Sequence, residues 1–108
     1  MKRFTPIILL FWAVVFVSAA SAQYLTSARL YLKQKEWALA ESSALKAIAK
    51  DDKDEEAWFV LGQARFELKK YPEMIDAFNK SLEVSQTYHE EIHRYKFKIW
   101  VDSYNAGI

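Results

Sequence analysis

His89-Glu90-Glu91-Ile92-His93 is the one string in this chain whose residue types and spacing could do chemistry. Two imidazoles four residues apart share one face of a helix and can hold a single Zn²⁺. The glutamate beside the first could then polarise a metal-bound water, which is the arrangement of zinc-dependent hydrolysis. The surroundings argue against it. Glu91 and Arg94 put charges on a segment that such sites bury. A third protein ligand is needed, and downstream only Asp102 offers one. Both histidines belong to this string, so no Ser/His/Asp arrangement can be drawn. The acidic run Asp51–Glu56 lacks the spaced ligands and the glycine of a calcium loop. It reads as a solvated turn that complements the positive end of the next helix. The expectation is therefore no catalytic residue, no metal and no cofactor, with the histidine pair on a solvated helix face.

The elements that carry these residues follow from composition. The chain has 108 residues, no cysteine, two glycines and two prolines. That length holds one small domain. The lack of cysteine removes disulfides, thiolate metal sites and cysteine nucleophiles together. So few glycines and prolines fit neither a turn-rich β fold nor a glycine-rich phosphate loop. An all-α domain is expected.

Residues 1–22 read as an export leader. Lys2 and Arg3 precede an unbroken apolar run, Ile7 to Val17, and Ala20-Ser21-Ala22 supplies a small-x-small cleavage pattern with Gln23 as the new N-terminus. The competing reading is an uncleaved membrane anchor, but Phe4–Ala20 approaches the about 20 residues of a span only by counting Thr5, Pro6 and Ser18. Removal of the leader takes two of the 15 basic residues and none of the 14 acidic ones. The remainder is close to neutral and has no basic excess for nucleic acid. Export to a periplasm or cell envelope is expected, with membrane contact only through an uncleaved leader.

Beyond the leader the chain repeats with a period of 34. Ser21–Asp54 aligns without gaps on Glu55–Tyr88. Lys35/Lys69 and Lys46/Lys80 are the main identities. Tyr24 meets Trp58, Ala28 meets Gly62, Leu32 meets Phe66, Trp37 meets Tyr71, and Ile48 meets Leu82. Trp58, Leu61, Ala64 and Leu68 share a helical face, and Met74, Ile75, Phe78, Ser81 and Leu82 form a second stripe. Lys69-Lys70-Tyr71-Pro72 separates them, with Pro72 suited to a first helical turn. Gln34-Lys35-Glu36 interrupts the earlier pair, Gln23–Lys33 and Trp37–Lys50. A period of this length predicts stacked helical hairpins.

Trp58-x-x-Leu61-Gly62, followed by Tyr71-Pro72 and Phe78, resembles the tetratricopeptide repeat (TPR) family. The first copy carries the same slots more weakly, with Tyr24 for the aromatic, Ala28 for the small residue and Ser27 in place of Leu61. The resemblance covers residues 23–88 as two repeats, about 23–54 and 55–88. It implies an α-solenoid of antiparallel hairpins in which the glycine or alanine slot lets paired backbones approach. It also implies a concave, ligand-binding groove lined by Leu25, Arg29, Leu32 and Lys33 from the first copy and by Phe59, Gln63, Phe66 and Glu67 from the second. That surface lacks a basic clamp for a carboxylate terminus, so the implied partner is an apolar helix or extended segment of another protein.

Residues 89–108 continue as helix, with Ile92, Tyr95, Ile99 and Trp100 at helical spacing. Continuing the 34-residue period puts Lys96 in the slot of Gly62. Sliding the register further, by about three helical turns, aligns Ala106-Gly107 with Leu61-Gly62. That register implies a lengthened preceding helix and then the start of a third repeat in a longer protein. The alternative is a terminal helix that packs back on the second repeat. The expected function is an exported, non-catalytic scaffold or adaptor that binds protein segments.

Overall fold

The computed structural model describes the backbone of residues 5–105 and the side chains of residues 19–105. Among these residues five helices follow one another: α1 (Thr5–Lys33), α2 (Trp37–Lys50), α3 (Glu55–Glu67), α4 (Tyr71–Val84) and α5 (His89–Asn105). Among the described residues there is no strand. Helices α1 to α4 pack each on the next, as two antiparallel hairpins stacked side by side. The chain is all-α, as its composition predicts. The apolar run of the leader lies outside the residues whose side chains are described. Among the described residues no helix is long and apolar enough to cross a membrane.

The recurrence of the sequence is carried by backbone geometry. Helices α1 and α3 end in the same way. Lys35 and Lys69 both sit in the left-handed region, at φ 61° and 60°. Glu36 N–H donates to Tyr31 C=O (2.9 Å) and Lys35 N–H to Leu32 C=O (3.1 Å). One period later, Lys70 N–H donates to Arg65 C=O (2.9 Å) and Lys69 N–H to Phe66 C=O (3.0 Å). Each pair is a Schellman closure, with lysine where glycine is usual. A side chain in that region costs about 1–2 kcal/mol, and the turn accepts that cost twice. The Asp54 carboxylate accepts from the backbone N–H of Glu56 (3.0 Å) and Ala57 (3.3 Å), starting α3. Pro72 occupies the first turn of α4, where no N–H is missed.

Packing repeats with compensated volumes. In the first hairpin Ala28 faces the slot of Ala44, and both are fully buried. In the second the equivalent pair is Gly62 and Phe78. A Cβ on Gly62 would stand 2.9 Å from Phe78 Cζ and closer still to its Cδ1 and Cε1. The small slot is therefore smaller where its partner is larger. A crossed hydrogen bond follows the same logic. Ser21 Oγ on α1 donates to Ala47 C=O on α2 (3.3 Å), and Ser81 Oγ on α4 donates to Glu55 C=O on α3 (2.9 Å). These are the same two repeat positions, bridged from opposite sides. The first hairpin thus includes Ser21, upstream of the cleavage point expected after Ala22, and α1 runs through that point without a break.

The core has two parts. Leu25, Ala28, Ala44, Ala47, Ala57, Val60, Leu61 and Ala77 join the hairpins, with Tyr24 and Trp58 at the edge. Phe59, Met74, Phe78 and Ile92 join α3 and α4 to α5. The lengthened helix that the shifted register requires is not present. Ser85 turns extended (φ −161°, ψ 151°) and ends α4. Its hydroxyl and that of Thr87, 2.6 Å apart, close the turn. Helix α5 then begins one full repeat period after α3, with His89 in the place of Glu55, and so keeps the unshifted register. Lys96 takes the position of Gly62 and is tolerated there, half-buried, with Nζ 2.8 Å from Asn79 Oδ1. Helix α5 packs back on the second hairpin.

Candidate interaction groove

Helices α1 and α3 carry the eight residues expected to line a groove. Leu25 is buried, and Leu32 is half-buried against the first core cluster. Arg29 donates from Nε to Glu56 across the α1–α3 junction, and this hydrogen bond raises the already high arginine pKa. Lys33 and Glu67, at equivalent ends of α1 and α3, are exposed. The first copy therefore offers a charged rim over buried aliphatic side chains.

In the second copy, three of the four expected residues are covered by α5 and the residue before it. The Tyr88 ring lies flat on Phe59, with centroids 4.2 Å apart and planes 6° from parallel. Gln63 Nε2 donates to Tyr95 Oη (3.1 Å). Tyr95 meets Phe66 edge-on at 5.0 Å, and Lys98 Nζ stands 5.3 Å from the centre of the Phe66 ring. Burial, then the negative charges of Glu56 and Glu55, push the Tyr88 phenol above its ordinary range. Of this set only Glu67 stays open. The face built by α1 and α3 is thus half covered, with α5 lying over its second copy.

The repeat-signature residues sit where hairpin packing needs them. Leu61 and Phe78 are fully buried, and Gly62 is buried against the Phe78 ring. Trp58 is half-buried and its Nε1 donates to Asp52 C=O (2.9 Å), which ties the α2–α3 turn to α3. Tyr71 packs beside Phe66 at 6.2 Å, while Pro72 is exposed. Tyr24 lies on the core edge beneath Lys46 Nζ at 5.9 Å.

Arg65, which departs from the aromatic that the resemblance would place there, has a different task. Its Nε lies 3.3 Å from Glu41 Oε2, and its Nη1 donates to Glu73 C=O (3.1 Å). Lys70 Nζ adds a bond to Glu41 Oε1 (2.9 Å). One carboxylate on α2 thus holds α3 and the hairpin turn, and Arg65 reaches on to α4. Periodicity gives no hint of this cluster, since its members lie 24 and 29 residues apart. The tyrosines that cover the groove are legible as a helical stripe, but not as partners of Phe59 and Gln63.

His89 and His93 lie exposed on α5. Arg94 approaches Glu90 at 3.9 Å and Glu91 at 4.0 Å. Among the described residues no group of three or more His, Cys, Asp or Glu is placed to hold a metal ion. In the acidic run, Asp51 accepts from Lys53 N–H, Asp54 caps α3 and Glu56 pairs with Arg29. No family model, no curated protein and no solved structure matches this chain.

Proposed function

We propose that this chain is an exported, non-catalytic TPR-type module that binds segments of other proteins, a scaffold or adaptor of the cell envelope. The observation that carries the reading is the duplicated hairpin. The same left-handed lysine closure, a close-packed small slot at the same place and a serine bond between the same two repeat positions recur at a period of 34. Stacked hairpins of this kind set equivalent helices side by side and so create one continuous face with repeating chemistry. Here that face has aliphatic centres in its first copy, aromatic ones beneath α5 in its second, and Arg29, Lys33 and Glu67 at the rim, which suits a helix or extended segment. The leader-like pattern of Lys2, Arg3, Ile7–Val17 and Ala20-Ser21-Ala22 supports export.

The test is a peptide-display selection against the purified full chain. Binders should weaken at least tenfold when charge is reversed at the rim by Lys33→Glu with Glu67→Lys. They should be unaffected by reversal of Lys80 on α4. A selection that yields only binders indifferent to the rim would remove the reading.

A further inference from the structure

We infer that the α3 face is a binding site for amphipathic helices with aromatic side chains at i and i+7 and aliphatic ones at i+4 and i+11, and that α5 is its resident, displaceable occupant. This rests on the interaction-module reading and names the ligand chemistry of that site.

The ligand pattern is read from the contacts themselves. Tyr88, Ile92, Tyr95 and Ile99 fall at i, i+4, i+7 and i+11, one face of a helix. Phe59 presents a flat ring and takes the Tyr88 ring in a parallel stack. Gln63 presents an amide donor and takes the Tyr95 hydroxyl. Phe66 takes the edge of the same tyrosine ring. Between them Ile92 enters the space beside Met74 and Phe78 and is fully buried. A phenol at i+7 satisfies the ring edge and the amide at once, so the site discriminates tyrosine from phenylalanine there.

The occupant is lightly held. Of the 17 residues of α5 only Ile92 is buried, against six buried positions in the 13 residues of α3. Where α3 turns Ala57, Val60 and Ala64 to its neighbours, α5 has Glu91, Arg94 and Lys98. Those charges keep α5 from seating on α4 as α3 seats on α2. Elements with few buried apolar contacts open at a fraction of the global stability. The turn that leads into α5, Ser85 to Tyr88, contains neither glycine nor proline.

The experiment uses the full chain and a fluorescein-labelled peptide of residues 86–105 as probe. In the wild type α5 fills the α3 half of the groove, and the probe should bind weakly. Ile92→Ser with Tyr95→Ser should release α5 from the groove and tighten probe binding at least tenfold. A probe carrying the same two changes should not bind, and one carrying Tyr95→Phe should bind several-fold less. Hydrogen exchange on the same samples should show α5 deprotected in the variant and α3 and α4 unchanged. Equal probe binding by wild type and variant, with α3 and α4 still protected, would overturn the inference. Loss of protection in α3 and α4 would overturn it too, because α5 would then be part of the cooperative fold. Either failure leaves rim-dependent binders from the display selection untouched, so the two readings fail separately.

Discussion

Helices α3 and α5 begin one repeat period apart, at Glu55 and His89, and occupy the same place in the repeat, yet they are used differently. Helix α3 buries six of its 13 residues, because α2, α4 and α5 each take a face of it. Helix α5 is apolar on two opposite stripes. One, Tyr88/Ile92/Tyr95/Ile99, rests on α3 and α4. The other, Phe97, Trp100 and Tyr104, stacks along the outside, 57%, 63% and 73% exposed. A shared register does not make a shared role. What decides it is whether the flanking positions are small and apolar, as in α3, or charged, as in α5.

The slot shared by Gly62 and Lys96 breaks this comparison most directly. Gly62→Leu forces a branched side chain into the Phe78 ring, which is itself fully buried and has nowhere to go. We expect a loss of about 3 kcal/mol, at the upper end of the usual overpacking effects. Lys96→Leu at the equivalent place should change stability by less than about 0.5 kcal/mol, as ordinary surface substitutions do. Urea unfolding of the two variants measures both. Similar losses would mean that α5 is clamped like α3.

Truncating a fully buried aliphatic side chain on each helix asks the same question at lower cost. Leu61→Ala should remove about 3 kcal/mol from global unfolding, the usual loss for an emptied core site. Ile92 is equally buried, but Ile92→Ala should lower the opening energy of α5 by about 2 kcal/mol and leave the α3 and α4 amides at their wild-type exchange rates. If exchange rises evenly across α3, α4 and α5, the two helices belong to one cooperative unit.

The contrast also explains what the sequence can convey. The hairpins are legible because their packing is local: Trp58, Gly62 and Phe78 lie on neighbouring helices joined by a short turn. The identity of Lys35 and Lys69 is visible without its cause, since left-handed backbone is normally signalled by glycine. The end of α4 misleads. Ser85-Gln86-Thr87 breaks the helix through a hydroxyl pair, while Ala106-Gly107 matches the small-slot pattern and draws the register along with it. The expected groove residues do fall on α1 and α3, but their exposure is not legible. Whether Phe59 and Phe66 face solvent depends on where α5 comes to rest, and periodicity carries no such information. Arg65 looks like a lapse in the pattern until Glu41 supplies its partner.

Within the hairpins the comparison is finer. Ser81 is fully buried and donates at 2.9 Å, whereas Ser21 donates at 3.3 Å. Ser81→Ala should cost about 1.5 kcal/mol and Ser21→Ala about half that, in the range of single buried hydrogen bonds. Thermal unfolding of the two variants ranks them. A reversed order would mean that the first hairpin, not the second, is the better closed.

A further small effect concerns the carboxylate that joins the hairpins. Burial alone would raise the Glu41 pKa, but hydrogen bonds from Lys70 and Arg65, and their charges, outweigh it and hold the group below its ordinary value of 4.5. A carboxylate depressed in the fold contributes stability that is fully present above its unfolded pKa and is lost as pH falls through the folded one. Glu41→Gln should therefore cost about 1 kcal/mol at pH 7, a modest figure because Lys70 is half exposed and screened. The gap between wild type and variant should close in acid, as pH falls below the ordinary value of 4.5 and on through the depressed one. Urea midpoints taken across that range test it. A gap that does not narrow at all as the solution is acidified would mean that Glu41 acts through shape and packing, and that the hairpins are joined by their buried alanines without help from this ion pair.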